Sequence, residues 1–192
     1  MNFIFDIGNV LLDFKPEVFL NSIFGDRSMA GKMLETIYKS PEWVKLDEGI
    51  ITPCEARDIF FMREPGLQPQ IQYTMDRLKD MLTPIDDTIE LLPAIKNSGH
   101  SLYYLSNYHK DLSEYVRKKY GFFGLFDGGV FSCDIHIVKP SPMIYSYLLD
   151  RYRLSAKDCL FFDDVEENVA AAQEVGIQGI LFTGAQCVMP YL

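Results

Sequence analysis

Five short runs of hydrophobic residues punctuate the chain, at positions 2–5, 101–105, 129–132, 159–162 and 179–182. Each is continuous rather than alternating, the pattern of a strand covered on both faces. Between the later runs, apolar residues recur at helical spacing. Ile89, Leu92 and Ile95 mark a helix over 86–97, and a second is predicted over 111–120, stopped by Gly121. Ile144, Tyr145, Leu148 and Leu149 mark 142–151, and Ala170, Ala171 and Ala172 form one face of 165–175, stopped by Gly176. This alternation predicts an α/β fold: a Rossmann-like parallel sheet with helices on both faces.

The rhythm fails once. After the first run the chain does not return to a strand until position 101, far too late for an ordinary β-to-α connection. The intervening segment, 15–83, reads as helical over 18–24, 29–38, 53–62 and 71–81. Thr52-Pro53-Cys54-Glu55 has the form of a helix start, with an N-cap hydroxyl and a proline in the first turn. The expected organisation is therefore a catalytic core, 1–14 with 84–192, and a small helical cap, 15–83. Asp13-Phe14 and Thr83-Pro84 would be hinges, and the cap would act as a lid that excludes water and selects substrate.

Composition narrows the partners. The 192 residues carry 27 acids and 18 bases, a net charge of −9. Such a surface repels a phosphate backbone, so no nucleic acid is expected. No apolar run approaches the ~20 residues of a membrane span, and the first residues lack a basic region followed by a long apolar stretch, so neither membrane nor export signal is expected. Cys54, Cys133, Cys159 and Cys187 form no C-x-x-C pair and read as buried thiols of a cytoplasmic protein. His100, His109 and His136 show no metal-ligand spacing and read as surface or loop residues.

Polar groups gather just beyond the apolar runs, where parallel sheets present ligand-binding residues. Asp6 follows the first run and Ser106-Asn107 the second; Lys139 lies between Val138 and Pro140; Asp163-Asp164 follows the fourth. A carboxylate nucleophile, a hydroxyl, an amide and a lysine make a set for phosphate chemistry. Two adjacent acids repel unless a cation sits between them, and their hard oxygens suit Mg²⁺. Asn168 lies one helical turn past Asp164 and can face the same place. Gly8 lets the chain turn sharply beside Asp6.

In this order, Phe5-Asp6-Ile7-Gly8-Asn9-Val10, Leu105-Ser106-Asn107, Val138-Lys139-Pro140 and Phe162-Asp163-Asp164 resemble the four motifs of the haloacid dehalogenase superfamily. The first is similar to that of the subgroup containing bacterial sugar-1-phosphate phosphatases and the N-terminal domain of soluble epoxide hydrolases. Residues 43–52, with Leu46-Asp47-Glu48-Gly49, are also like that subgroup. The resemblance implies that Asp6 forms an aspartyl-phosphate and that Ser106, Asn107 and Lys139 bind the phosphoryl group. It further implies that Asp6, the backbone oxygen of Gly8 and Asp164 hold Mg²⁺, with Asp163 a further ligand or a support for one.

One position departs from the pattern. Most phosphatases of the superfamily have a second Asp two residues after the nucleophile, which protonates the leaving group; here that place is Gly8. Asp13 is a replacement by proximity in sequence alone. The expectation is a Mg²⁺-dependent phosphatase of a small phosphorylated metabolite, with sugar phosphates among the candidates. A 2-haloacid dehalogenase, which needs no second Asp, and a catalytically weak binding protein stay open. Tyr38, Trp43 and Arg63 are cap residues that either reach a ligand or pack, and neither the substrate nor the oligomeric state is legible.

Overall fold

The computed structural model describes residues 1–192. Five strands, β1 (Asn2–Phe5), β2 (Ser101–Ser106), β3 (Gly128–Phe131), β4 (Cys159–Asp163) and β5 (Gln178–Leu181), form one parallel sheet in the order β3-β2-β1-β4-β5. The expected sheet is present, with β1 as expected and the limits of the other four strands moved by one residue. Register aligns Phe5 with Tyr104 on one side and Phe162 on the other. Asp6, Ser106 and Asp163 therefore emerge side by side at the carboxyl edge of the three central strands.

Side-chain alternation in β1 divides the core into two faces. Phe3 and Phe5 join Leu102, Tyr104 and Phe162 on one face, where Phe5 stacks on Phe162 with centroids 5.0 Å apart. Ile4 joins Tyr103, Leu105 and Phe161 on the other. All but the two tyrosines are fully buried, and burying each such aromatic contributes about 1.5–3 kcal/mol. Edge strand β5 departs from the expected two-sided burial, since Leu181 is exposed.

Helices α1 (Pro16–Phe24), α2 (Arg27–Met33), α3 (Pro41–Asp47), α4 (Pro53–Arg63) and α5 (Gln68–Met75) lie between β1 and β2. Their buried residues Leu20, Met33, Leu46, Phe60 and Ile71 are continuous with the Phe3–Phe5 face of the sheet. The predicted start of α4 is a full capping box: Thr52 Oγ1 accepts from the Glu55 amide at 3.2 Å, and Glu55 accepts from the Thr52 amide at 2.7 Å. Helix α3 was not expected, and two expectations need correction: the predicted 29–38 helix changes to a π-helical stretch at Leu34–Tyr38, and 71–81 ends as the 3₁₀ turn Leu78–Met81.

The chain leaves and re-enters the sheet through two adjacent segments. The Asp13 amide donates to the Thr83 carbonyl (2.8 Å), the Ile85 amide to the Leu11 carbonyl (2.9 Å), and Leu12 pairs antiparallel with Pro84. Helices α6 (Asp86–Ile89) and α7 (Leu92–Asn97) replace the single expected helix, because Pro93 has no N–H to continue the ladder. Helices α8 (Lys110–Lys119), α9 (Pro142–Tyr152) and α10 (Glu166–Glu174) follow β2, β3 and β4. Ile144, Tyr145 and Leu148 of α9 pack with Ala171 and Ala172 of α10 on the Ile4 face. Cys133 and Cys159 are buried thiols, whereas Cys54 is exposed and Cys187 half-buried, so burial holds for only two of the four. No helix is long and apolar enough to cross a membrane.

Candidate active site

The turn after β1 is built by the Ile7 carbonyl, which accepts from the Leu11 (2.9 Å) and Leu12 (2.8 Å) amides. Asn9, not Gly8, takes the left-handed conformation here, with φ +54°. Asparagine tolerates that region because its side chain bonds locally. Asn9 Oδ1 accepts from the Phe14 amide at 2.9 Å, and its Nδ2 donates to Asp164 Oδ2 at 3.0 Å. Asn9 thus ties the first motif to the fourth, a role the sequence did not disclose.

Lys139 is the centre of the buried charges. Its Nζ lies 2.8 Å from Asp6 Oδ1 and 2.5 Å from Asp163 Oδ2, and all three side chains are nearly or wholly buried. Ser106 Oγ donates to Asp6 Oδ1 at 2.5 Å. Asn107 clamps the lysine backbone: its Nδ2 donates to the Lys139 carbonyl (3.0 Å) and its Oδ1 accepts from the Lys139 amide (2.8 Å). Lys139 reaches its partners from a loop held in place in this way.

The two acids after β4 differ in surroundings. Asp163 accepts from Lys139, from Asn168 Nδ2 at 3.0 and 3.1 Å, and from the Val165 amide at 2.9 Å. Its donors saturate it and make it a support for Lys139. Asp164 instead lines a cavity of about 190 Å³, together with Asp6, Gly8, Ser106, Asn107 and Lys139. Every sequence-derived site residue except Asp163 faces that cavity. Asn168 also lines it, as its position one turn past Asp164 predicts.

Electrostatics follow from burial. Desolvation is the largest influence on Asp6 and pushes it up to about 6, against the opposing pull of Lys139. Burial also raises Asp164, with Asn9 opposing. Burial alone would lower Lys139, but Asp6 and Asp163 outweigh it and hold the ammonium above its ordinary value. Oxygens of Asp6, Asp163 and Asp164 all lie within 4.8 Å of one another. With all three ionised and one lysine among them, two negative charges are left over, and the donors are hard oxygens. That set fits a small divalent cation.

Phe14, Trp43 and Asp47, the last residue of α3, line the same cavity. Asp47 was legible as part of a motif but not as a site residue. Elsewhere in the insert, Tyr38 packs at a tilt against Trp43 at 4.7 Å without lining the cavity, and Arg63 pairs with Glu42 at 2.8 Å. Asp13, the replacement suggested by proximity, bonds to Lys15 and to Thr83 Oγ1 and does not face the cavity. His109 also departs from expectation: it is 3 % exposed, packs edge-on against Trp43 at 5.8 Å, and is lowered by burial to about 4. His136 is exposed as expected, with Nδ1 2.8 Å from the Glu48 carbonyl.

Residues 1–176 match the model of the haloacid dehalogenase-like hydrolase family, and the chain belongs to that family. It is therefore a hydrolase on an α/β scaffold. The sesquiterpene phosphatase astK of Aspergillus oryzae is 31 % identical over 182 residues, which span 94 % of this chain and 88 % of that protein. The HAD family enzyme bt-2542 of Bacteroides thetaiotaomicron, in complex with magnesium and inorganic phosphate, superposes with a TM-score of 0.70. Identity there is 24 %, over 92 % of this chain and 90 % of that one. The L-2-haloacid dehalogenase RSc1362 also superposes with a TM-score of 0.70, at 18 % identity over 92 % and 83 % of the two chains. At these identities the two structures establish a shared fold.

Proposed function

We propose that the chain is a Mg²⁺-dependent phosphatase of a small phosphorylated metabolite and works through an aspartyl-phosphate on Asp6. The observation that carries this reading is the contact of Lys139 with Asp6 at the edge of a cavity also faced by Asp164. A carboxylate meets a phosphate monoester only where cations offset both anions. Lys139 supplies one such charge. Asp6, Asp164 and the Gly8 carbonyl would hold Mg²⁺, which when bound neutralises phosphoryl oxygens. Lys139 also keeps Asp6 oriented, Ser106 and the adjacent backbone face the phosphoryl group, and Asp163 with Asn107 holds Lys139 in place.

The chain divides, in this reading, into a core of 1–14 and 84–192 and a cap of 15–83 that closes the cavity and sheds water. Phe14, Trp43, Tyr108 and Leu112 give the cavity apolar walls, which favour an ester whose leaving group has an apolar face. The sesquiterpene phosphatase relative supports the same class. Dehalogenation of a 2-haloacid would use Asp6 against carbon, but would leave Asp164 and its acidic neighbours without a cation to hold.

Phosphate release from a panel of esters, prenyl monophosphates beside hexose 1-phosphates, tests the proposal with Mg²⁺ and with EDTA. Release that needs Mg²⁺ and is lost in Asp6→Asn is expected. Halide release from 2-haloacids that is indifferent to EDTA would replace the phosphatase with the dehalogenase.

A further inference from the structure

Gly8 has no side chain to move a proton, so an ester with a poor leaving group needs an acid from elsewhere. The titratable groups that line the cavity are Asp6, Asp47, Tyr108, Lys139 and Asp164. Asp6 is the nucleophile, Lys139 is ion-paired twice, Asp164 is assigned to the cation, and burial raises the Tyr108 hydroxyl well above its ordinary value. Asp47 is the remaining group.

Its position is built. The Ser132 hydroxyl, just beyond β3, donates to the Asp47 carbonyl at 2.5 Å, and His136 Nδ1 lies 2.8 Å from the Glu48 carbonyl. Gly49 follows at φ +68°, where a Cβ would stand 2.9 Å from the Cys133 carbonyl oxygen. These contacts pin the end of α3 to the loop 132–136 of the core and hold Asp47 at the cavity that Asp6 also lines. Trp43, one turn earlier in α3, lines the same cavity.

We infer that Asp47 is the proton donor that stands in for the acid missing at Gly8. This rests on the phosphatase reading above. In the first half-reaction an Asp6 oxygen bonds phosphorus as the bond from phosphorus to the ester oxygen breaks. The electron pair stays on that oxygen, which takes the Asp47 proton and leaves as the alcohol. In the second half-reaction the Asp47 carboxylate accepts a proton from water as the water oxygen bonds phosphorus. The bond between phosphorus and Asp6 breaks, inorganic phosphate leaves, and both carboxyl groups return to their starting states. Desolvation favours a protonated Asp47: it pushes the group up to about 7, with the His109 amide, Lys139 and the Trp43 indole opposing and Asp6 adding to it. A carboxyl balanced near neutrality is suited to give and recover a proton.

The test compares wild type, Asp47→Asn, Asp47→Glu and Asp6→Asn on p-nitrophenyl phosphate, phenyl phosphate and an alkyl phosphate with Mg²⁺. Asparagine keeps the shape of Asp47, and a thermal melt with circular dichroism checks its fold. The nitrophenolate leaves without a proton, whereas the alkoxide does not. Asp47→Asn is expected to lose ~10²-fold or more in kcat/KM on the alkyl ester, no more than about tenfold on p-nitrophenyl phosphate, and to recover in part as Asp47→Glu. A folded Asp47→Asn with equal losses on all three esters, or none, would overturn the role of Asp47 while leaving the phosphatase intact. A wild type that releases no phosphate, or an Asp6→Asn that still does, would overturn both.

Discussion

A lysine between two buried carboxylates is exposed to a test that surface charges are not. Removing one partner of a buried ionic cluster leaves charge uncompensated in a poorly solvated place, at a cost of about 3–5 kcal/mol. Lys139→Met is therefore expected to destabilise the fold by ~3 kcal/mol at pH 7.5 in urea denaturation and to lower turnover by about 10²–10³-fold. The stability loss should shrink as pH falls towards about 6, because Asp6 without Lys139 keeps its proton to higher pH than in the wild type. A loss independent of pH would contradict the charge argument. The same proton bears on metal binding. A carboxyl raised in the folded state stabilises the fold below its unfolded value near 4 and loses that contribution as pH rises through about 6. Mg²⁺ competes with that proton, so the rise in Tm on adding Mg²⁺ should be larger at pH 7.5 than at pH 5, and smaller in Asp164→Asn at both. An equal rise at both pH values would remove Asp6 from the ligand set. Most of these residues were legible in the sequence because each follows an apolar strand, which fixes the edge from which it emerges. Asp47 was legible as part of the Leu46–Gly49 motif but not as a site residue, because its contact with Ser132 spans 85 positions. Asp13 misled for the converse reason: nearness in sequence to Asp6 says nothing about direction after a tight turn.

At the scale of elements, the short segment after α3 controls how the helical insert meets the sheet. Gly49 sits in the left-handed region against the Cys133 backbone, where any side chain is both strained and crowded. Gly49→Ala is expected to cost about 1–3 kcal/mol and to lower kcat more than it changes Mg²⁺ affinity, since it loosens Asp47 and Trp43 but not the acidic cluster. Calorimetry with a Mg²⁺ titration checks this; unchanged Tm and turnover would show that α3 is not pinned there. The strands were legible as continuous apolar runs, and α4 by its capping box. Helix α3 escaped because seven residues carry too little periodicity to stand out. The break between α6 and α7 was marked in the sequence by Pro93 and outweighed there by the apolar spacing on either side.

For the molecule as a whole, the parallel order β3-β2-β1-β4-β5 does one thing that no single motif does: it sets β1 between β2 and β4, so that residues about a hundred positions apart converge on Asp6. The family's fold and the edge that carries the site follow from strand order, whereas Trp43 and Asp47 of the insert add to the lining of the cavity. Peptide mapping of protein quenched in acid during turnover of p-nitrophenyl phosphate with Mg²⁺ tests whether Asp6 carries the phosphoryl group. One phosphoryl group is expected on the peptide that contains Asp6, absent in Asp6→Asn and absent when EDTA precedes the substrate. Phosphate release by the wild type with the phosphoryl group on another residue, or undiminished release by Asp6→Asn, would contradict that expectation.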